Sequence, residues 1–231
     1  MANQLDLEEQ EQLDQVRHFW KQYGNLITGV LIAVFGSMAA WNGWQYWQRS
    51  QAAQSAVLYD EVDRAAQAGD LEHLQRAMTD IRSRFAGALP TQQAVLLGAK
   101  VLFENGKVDA AREALGWVAD KSPDEGYQAI ARLRLAAVLL DGKKYDEALA
   151  QLAGSFPPSF APLVADRRGD VLRAQGKTAE ARAEYSKAYG TMERNAEYRQ
   201  LVEVKLNALG VDPQALAAGT GASAPATGNK P

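Results

Sequence analysis

Few residues of this chain have the types and spacing that catalysis or metal binding requires. The sequence has no Cys, which excludes a thiolate nucleophile, a disulfide and a Cys-based metal site. Its two histidines, His18 and His73, lie far apart in the sequence, and neither has a second His or a Cys nearby to complete a metal site. These residues predict no catalytic site, no metal centre and no cofactor.

One tripeptide, Gly176-Lys177-Thr178, has the last three residues of a phosphate-binding loop. That motif also needs a Gly five residues before Gly176 and a preceding strand. Val171 stands at the first of these positions, and residues 163–175 have the spacing of a helix. The tripeptide therefore predicts a turn between helices, and the chain is not expected to be an enzyme.

The charge balance argues against nucleic acid as a partner. The chain has a formal net charge of −3, and from residue 50 onward its 22 basic side chains are matched by 23 acidic ones. Nucleic-acid-binding proteins usually have a strong basic excess. Here basic and acidic residues alternate at helical spacing, which is typical of solvated helix faces.

Residues 23–47 have the length and composition of one transmembrane helix. No charged residue occurs between Lys21 and Arg49. Trp20 and Trp41 are 21 residues apart, which corresponds to roughly 31 Å along a helix, the thickness of a bilayer's hydrocarbon core. Trp and Tyr side chains favour the level of the lipid headgroups. We therefore expect contact with membrane lipid through interfacial anchors at Trp20, Tyr23, Trp41, Trp44 and Trp47.

The segment before this span, residues 1–22, is unlike a cleaved signal peptide. It carries five acidic residues against Arg17 and Lys21, whereas a signal peptide begins with a short, positive leader. An uncleaved anchor is therefore expected. Basic residues on the two sides of the span are nearly equal in number, so the positive-inside rule leaves its orientation open. The acidic segment itself is either an amphipathic helix or a solvated tail.

Small residues recur regularly inside the span. Five of them are spaced at intervals of four, three, four and three residues, which places them on one face of a helix. Small side chains let a second helix approach closely, and close packing drives helix association in lipid. The predicted helix-packing face consists of Gly29, Ala33, Gly36, Ala40 and Gly43. Its partner is either a second copy of the chain, which would give self-association, or a different membrane protein.

After the span the chain contains a repeat. Three segments align on a Gly-Lys turn, with Gly106, Gly142 and Gly176 separated by 36 and 34 residues. A period near 34 with a helix on each side of the turn resembles the tetratricopeptide repeat. Each Gly is expected to end the first helix of its pair in a left-handed conformation, although the second unit has one extra residue after its Gly. Small residues are expected where paired helices cross, at Ala99, Ala111, Ala148, Gly169 and Ala181. Larger residues that pack into the next pair are expected at Leu115, Leu152 and Tyr185.

Helical spacing also predicts the elements that flank the repeats. The helical pattern of the span continues to Gly69, and Asp70 is placed to cap a second helix over residues 71–85. Residues 196–209 are expected to form a capping helix for the open end of the solenoid. Residues 211–231 are rich in Ala, Gly, Pro, Ser and Thr and predict a disordered tail.

The predicted fold class is therefore all-α, with one N-terminal transmembrane helix followed by a tetratricopeptide-like α-solenoid of degenerate helix pairs and a C-terminal capping helix. The predicted domains are an acidic N-terminal segment (1–22), the transmembrane helix (23–47), the helical domain (48–210) and the tail (211–231). In such arrays the first helix of each pair lines a concave groove that binds peptides. The candidate groove residues are Leu96, Lys100, Phe103, Asp166, Asp170 and Arg173.

Three runs carry a closer resemblance. They are Phe-Trp-Lys-Gln-Tyr-Gly at 19–24, Gly-Trp-Gln-Tyr-Trp at 43–47 and Leu-Val-Ala-Asp-Arg-Arg-Gly-Asp at 163–170. Together with the degenerate repeats, they make the chain resemble the ancillary subunit of the bacterial SecYEG protein-translocation channel. The resemblance implies a single-pass inner-membrane protein with a cytoplasmic N-terminus and a periplasmic helical domain. It also implies two partners, the SecYEG translocon and a periplasmic prolyl-isomerase-like chaperone, and a role in passing exported chains onward.

Two other functions are compatible with these sequence features. The acidic N-terminal segment could act as a negative regulator by sequestering a cytoplasmic stress-response regulator, with the rest of the chain as its anchor. Alternatively, the repeat domain could belong to an envelope or cell-division adaptor. Deletion of residues 2–15 distinguishes the regulator, and a dispensable membrane span favours the adaptor.

Overall fold

The computed structural model describes residues 7–193 and 197–213, and all regular secondary structure in this part of the chain is helical. The chain forms two compact units, of which the first ends at Ala53 and the second begins at Gln54. A short 3-10 helix, Pro158–Phe160, precedes α7. The α-helices of the described residues are α1 (Leu7–Ala68), α2 (Leu71–Phe85), α3 (Leu89–Glu104), α4 (Val108–Lys121), α5 (Glu125–Asp141), α6 (Tyr145–Leu152), α7 (Ala161–Ala174), α8 (Thr178–Thr191) and α9 (Glu197–Ala208).

Helix α1 includes the whole predicted span and continues to Ala68, as the sequence pattern predicts. Its apolar part is long enough to cross a membrane, and no other helix among the described residues meets that criterion. Two polar side chains within this part bond back to the helix backbone. The Ser37 hydroxyl donates to the carbonyl of Ala33 over 2.7 Å, and the Asn42 amide donates to the carbonyl of Met38 over 3.0 Å. These bonds satisfy donors that would otherwise be costly to place in lipid.

Helix α2 confirms the predicted bounds and cap. The Asp70 carboxylate accepts a hydrogen bond from the backbone N–H of His73 at 3.0 Å, which satisfies one of the free donors at the helix start. Leu74, Met78 and Ile81 are buried along one stripe. Burial of this stripe attaches α2 to the rest of the helical core.

Three helix pairs follow, α3 with α4, α5 with α6 and α7 with α8, and the first helices of successive pairs also contact each other. The crossing residues Ala111, Ala148 and Ala181 have no exposed surface. Leu115 and Leu152, which were expected to pack into the next pair, are also buried. Close approach at a small residue thus sets the geometry of each pair, as the repeat pattern predicts.

The core consists of two clusters. The larger runs from the end of α1 to α7, and the smaller joins α7, α8 and α9. Val202 and Leu206 of α9 are completely buried in the smaller cluster, so α9 closes the apolar end of the solenoid. Val211 packs against the same cluster and Pro213 is buried, while residues 214–231 of the predicted tail lie outside the described residues.

The turn of the second pair differs from the sequence expectation. Gly106 and Gly176 are left-handed, with φ of 74° and 79°, but Gly142 has φ of −76° and Lys143 has φ of 58° instead. Lys143, like the two glycines, stands five residues before the crossing alanine of its pair, here Ala148. The left-handed residue thus lies five positions before the crossing alanine in all three pairs. The extra residue of the second unit therefore precedes the left-handed residue.

The Lys143→Gly variant is expected to be more stable than the natural chain by about 1 kcal/mol, because a left-handed residue with a Cβ is strained and Gly is not. Urea unfolding followed by circular dichroism measures the change. The matched control, Gly106→Ala, introduces the same strain in the first pair and should destabilise by a similar amount. Equal stability of Lys143→Gly and the natural chain would contradict the strain.

Candidate protein-interaction surfaces

The first surface is the small-residue face of α1. Gly29, Ala33, Gly36, Ala40 and Gly43 are all exposed in the structure. A Cβ added at any of the three glycines would meet nothing within 4 Å. The face is therefore a shallow strip on an otherwise bulky apolar helix, and its shape permits the close approach of a second helix.

The predicted anchor residues lie at the two ends of the apolar part of α1, and all five are exposed. Trp20 is 59% exposed and Trp41 64% exposed. Trp44 and Trp47 lie together, with ring centroids 5.6 Å apart. Gly24 lies beneath the Trp20 ring, since a Cβ there would come within 3.2 Å of the indole nitrogen. Rings with a polar N–H at both ends suit the two headgroup levels of a bilayer.

The second surface, which we call the groove side, is the side of the first helix of each pair that is predicted to line a concave groove. The six predicted groove residues differ in their exposure. Lys100 and Arg173 are exposed and Phe103 is half-buried. Leu96 is only 6% exposed and belongs to the core. Asp166 is 1% exposed because α9 covers it. Leu96 and Asp166 are therefore interior residues and do not line an open groove.

Asp166 lies at the centre of a polar network that we call the α9 clamp: Asp166, Asp170, Tyr185, Tyr198 and Lys205. The Lys205 ammonium lies 2.8 Å from both carboxylate oxygens of Asp166. The Tyr198 phenol donates to Oδ2 of Asp166 over 2.7 Å. Because Lys205 and Tyr198 both belong to α9, these bonds attach the capping helix to α7.

The other carboxylate of the clamp, Asp170, connects α7 to α8 and α9. Its Oδ1 atom lies 2.7 Å from the Lys205 ammonium and accepts a 2.8 Å hydrogen bond from the Tyr185 phenol. Burial, followed by the charge and hydrogen bond of Asp170, raises the pKa of the Tyr185 phenol. Burial and the hydrogen bond to Asp166 likewise raise the pKa of Tyr198. Both phenols therefore stay protonated at neutral pH and act as donors.

Two arginines add contacts at the ends of α9. The Arg182 guanidinium donates to the carbonyl of Leu209 over 2.6 Å, beyond the C-terminal end of the helix. Arg199 donates to the carbonyl of Met192 and lies 3.8 Å from the centre of the Tyr189 ring. These contacts, with the clamp, make α9 a firmly attached part of the repeat domain.

Sequence reasoning missed the clamp. Asp166 and Lys205 are 39 residues apart in the sequence, and no local pattern connects them. One signal was available, because Asp166 follows Ala165 and lies three residues before Gly169, on the side of α7 that faces its partner helix. A carboxylate on a buried side of a helix requires a cation or donors from another element.

The Gly176-Lys177-Thr178 tripeptide and His73 have structural roles in the helical domain. Gly176 and Lys177 form the turn between α7 and α8, and Thr178 begins α8. The ring of His73 lies 3.1 Å from a carboxylate oxygen of Glu61. In residues 7–193 and 197–213, no three His, Cys, Asp or Glu side chains are grouped to hold a metal ion.

The chain is similar in sequence to one family of repeat domains and to several named proteins. The model of the family described as "Tetratricopeptide repeat-like domain" matches residues 17–211. A relative named "Ancillary SecYEG translocon subunit" from Neisseria gonorrhoeae is 34% identical over 204 residues, covering 88% of this chain and 98% of the relative. Relatives with the same name from Haemophilus influenzae and Escherichia coli are 29% and 26% identical, again over 88% of this chain and over 98% and 97% of their own lengths. No solved structure matches the chain significantly.

The family model extends from residue 17 of α1 through all the helix pairs. These matches agree with an all-helical chain in which a long apolar helix lies near the N-terminus. Both families are non-enzymatic. The chain belongs to the tetratricopeptide repeat-like domain family and to the family of ancillary SecYEG translocon subunits.

Proposed function

We propose that this protein is a non-enzymatic, membrane-anchored accessory subunit of the Sec protein-translocation channel. It would help pass exported chains to periplasmic chaperones through contacts of its repeat domain. The observation that carries the proposal is the 34% identity to a named translocon subunit over nearly the whole of that relative. An independent physical argument supports it, because the chain combines one helix suited to lipid with a domain suited to binding other proteins.

In this proposal the chain crosses the bacterial inner membrane once, over residues 23–47. The N-terminal residues 1–22 lie in the cytoplasm and the helical domain, residues 48–210, lies in the periplasm. The aromatic residues at the two ends of the span support a fixed depth in the bilayer. The orientation follows from the family resemblance, since the flanking charges are nearly balanced.

The small-residue face of α1 is proposed to dock against a membrane helix of the channel. Large apolar side chains such as Leu31 and Phe35 are exposed elsewhere on this helix and suit contact with lipid tails. Lipid tails solvate those side chains well, so helix association in the bilayer depends on close packing. A neighbouring backbone could approach α1 most closely along the strip that has no side chains, at Gly29, Gly36 and Gly43.

The repeat domain is proposed to contact exported chains and a periplasmic prolyl-isomerase-like chaperone through the groove side. Lys100, Phe103 and Arg173 supply accessible charge and apolar surface on the first helices. Lys100 lies 3.7 Å from Glu104 in an exposed pair, which a ligand can displace at little cost.

In-cell photocrosslinking tests this contact. A photoreactive residue at Lys100, Phe103 or Arg173 is expected to capture exported chains or the chaperone, identified by mass spectrometry. Matched control positions are Glu113 and Lys187, which are exposed on the second helices α4 and α8. Capture from the controls but not from the groove positions would contradict the proposed client surface.

A further inference from the structure

An open cavity of about 720 Å³ lies where the C-terminal ends of α5, α7 and α9 converge. This volume is within the range of ligand sites, which combine an apolar wall with a few converging polar groups. Leu140, Ala174 and Leu209 supply the apolar part of the lining. The polar part of the lining comes from Asp141, Lys143, Tyr145, Asp170 and Arg173.

Three donors in this lining have no partner in the structure. The side chains of Lys143, Arg173 and Tyr145 make no hydrogen bond or ion pair within the described residues. Lys144, the neighbour of Lys143, lies 3.4 Å from a carboxylate oxygen of Glu147. Two cationic residues and a tyrosine whose side chains have no partner among the described residues thus line one cavity.

Lys143 is also the one non-glycine residue with a left-handed backbone in the part of the chain that the structure describes. The other helix pairs use Gly at this position, which is the less strained choice. Strained backbone that the fold retains tends to occur at functional sites. Here the strained residue is also the one lysine in the lining of the cavity.

The two carboxylates in the lining differ in their availability. Asp170 is occupied by the α9 clamp, where Lys205 and Tyr185 contact it, and Arg167 lies 3.3 Å from its second oxygen. Its negative charge is therefore compensated within the protein. Asp141 is exposed and has no partner among the described residues. It could accept a backbone N–H from a bound peptide.

We propose that this cavity binds an extended protein segment through an acidic side chain, with the carboxylate held between Lys143 and Arg173 and the Tyr145 phenol as a further donor. Charged donors bind carboxylates more strongly than neutral ones, and Arg matches the geometry of a carboxylate. The apolar wall takes a neighbouring apolar side chain of the segment. The proposal specifies the chemistry of the ligand that one end of the groove would bind. It rests on the proposed function in one respect, namely that the groove contacts protein chains.

The test uses the purified full chain in detergent and a fluorescent dodecapeptide with blocked termini that alternates Glu with Leu and Ala. Fluorescence anisotropy is expected to show saturable binding that weakens as salt increases. Replacing each Glu of the peptide by Gln should abolish binding. Arg173→Gln should weaken it about tenfold, the loss expected for one charge-assisted hydrogen bond.

The Lys143→Gly variant shows whether a loss of binding can occur without a loss of stability. This variant is expected to be more stable than the natural chain and yet to bind the acidic peptide about tenfold more weakly. Lys143→Arg should retain affinity, and Lys187→Gln, which removes an exposed cation from α8, should leave it unchanged.

Four results would overturn the site. The first three are equal binding of the Glu and Gln peptides, unchanged affinity in Lys143→Gly, and an equal loss of affinity in Lys187→Gln. Preferential binding of a Gln peptide with a free C-terminus would also overturn it, because the ligand would then be a terminal carboxylate. None of these outcomes would bear on association with the channel, which is measured separately through α1.

Discussion

Replacing Lys205 with Met is expected to lower the free energy of unfolding by about 3–5 kcal/mol, the cost of removing one partner from a buried ion pair. The Asp166 side chain is 1% exposed and that of Lys205 is 18% exposed, so water cannot easily replace the lost cation. Asp166 would keep the hydrogen bond from Tyr198 but would lose its contact with the ammonium group. Much of the cost is therefore the penalty of an uncompensated buried carboxylate.

Urea unfolding of the full chain in detergent measures this loss, and hydrogen exchange locates it. We expect amides of α9 to exchange faster in Lys205→Met, because the clamp attaches this helix to α7. Lys187→Met is the control, since Lys187 is exposed and its change should stay within about 0.5 kcal/mol. The double variant Lys205→Met with Asp166→Asn should recover part of the loss. Natural stability in Lys205→Met would show that the clamp does not hold α9.

The second large effect is expected at Gly169, where Val should destabilise the domain by about 2–3 kcal/mol. A Cβ at this position would lie 2.5 Å from Cε1 and 2.6 Å from Cδ1 of the Tyr185 ring. Tyr185 has no exposed surface, and its phenol bonds to Asp170. The ring therefore cannot move aside without breaking packing and a clamp hydrogen bond.

Thermal unfolding and a double-mutant cycle test this contact. Tyr185→Leu alone loses packing and the phenol, but in combination with Gly169→Val the losses should be clearly less than additive. Gly116→Ala is the matched control, because a Cβ there meets nothing within 4 Å in the middle of α4. That control should be neutral or slightly stabilising. Additive losses at Gly169 and Tyr185 would contradict the steric argument.

Much of the repeat architecture could be predicted from the sequence because its determinants are local and periodic. The crossing alanines and the residues four positions later, such as Ala181 and Tyr185, are buried as the pattern predicts. The cap at Asp70 and the bounds of α2 also follow from neighbouring residues. Small residues that permit close helix packing recur at a regular spacing, which makes them recognisable in the sequence.

The turn at Lys143 could not be predicted because the usual preference for Gly gave the wrong register. The Gly-Lys pattern predicts Gly142 as the left-handed residue, but the distance to Ala148 places that conformation on Lys143. The clamp was missed for a different reason. Asp166 becomes an interior residue only when α9 folds back onto α7 and α8, and this long-range contact has no periodic signature.

Docking of the protein at the Sec channel through the small-residue face of α1, as proposed above, is tested most directly by co-purification from mildly solubilised membranes. The natural chain and a control with Val34→Phe and Met38→Phe, which enlarge the opposite side of the helix, are expected to recover SecYEG. The triple variant Gly29→Leu, Gly36→Leu, Gly43→Leu should lose it, because bulky side chains prevent close helix approach. Failure of the natural chain to recover SecYEG, or full recovery by the triple variant, would contradict the claim.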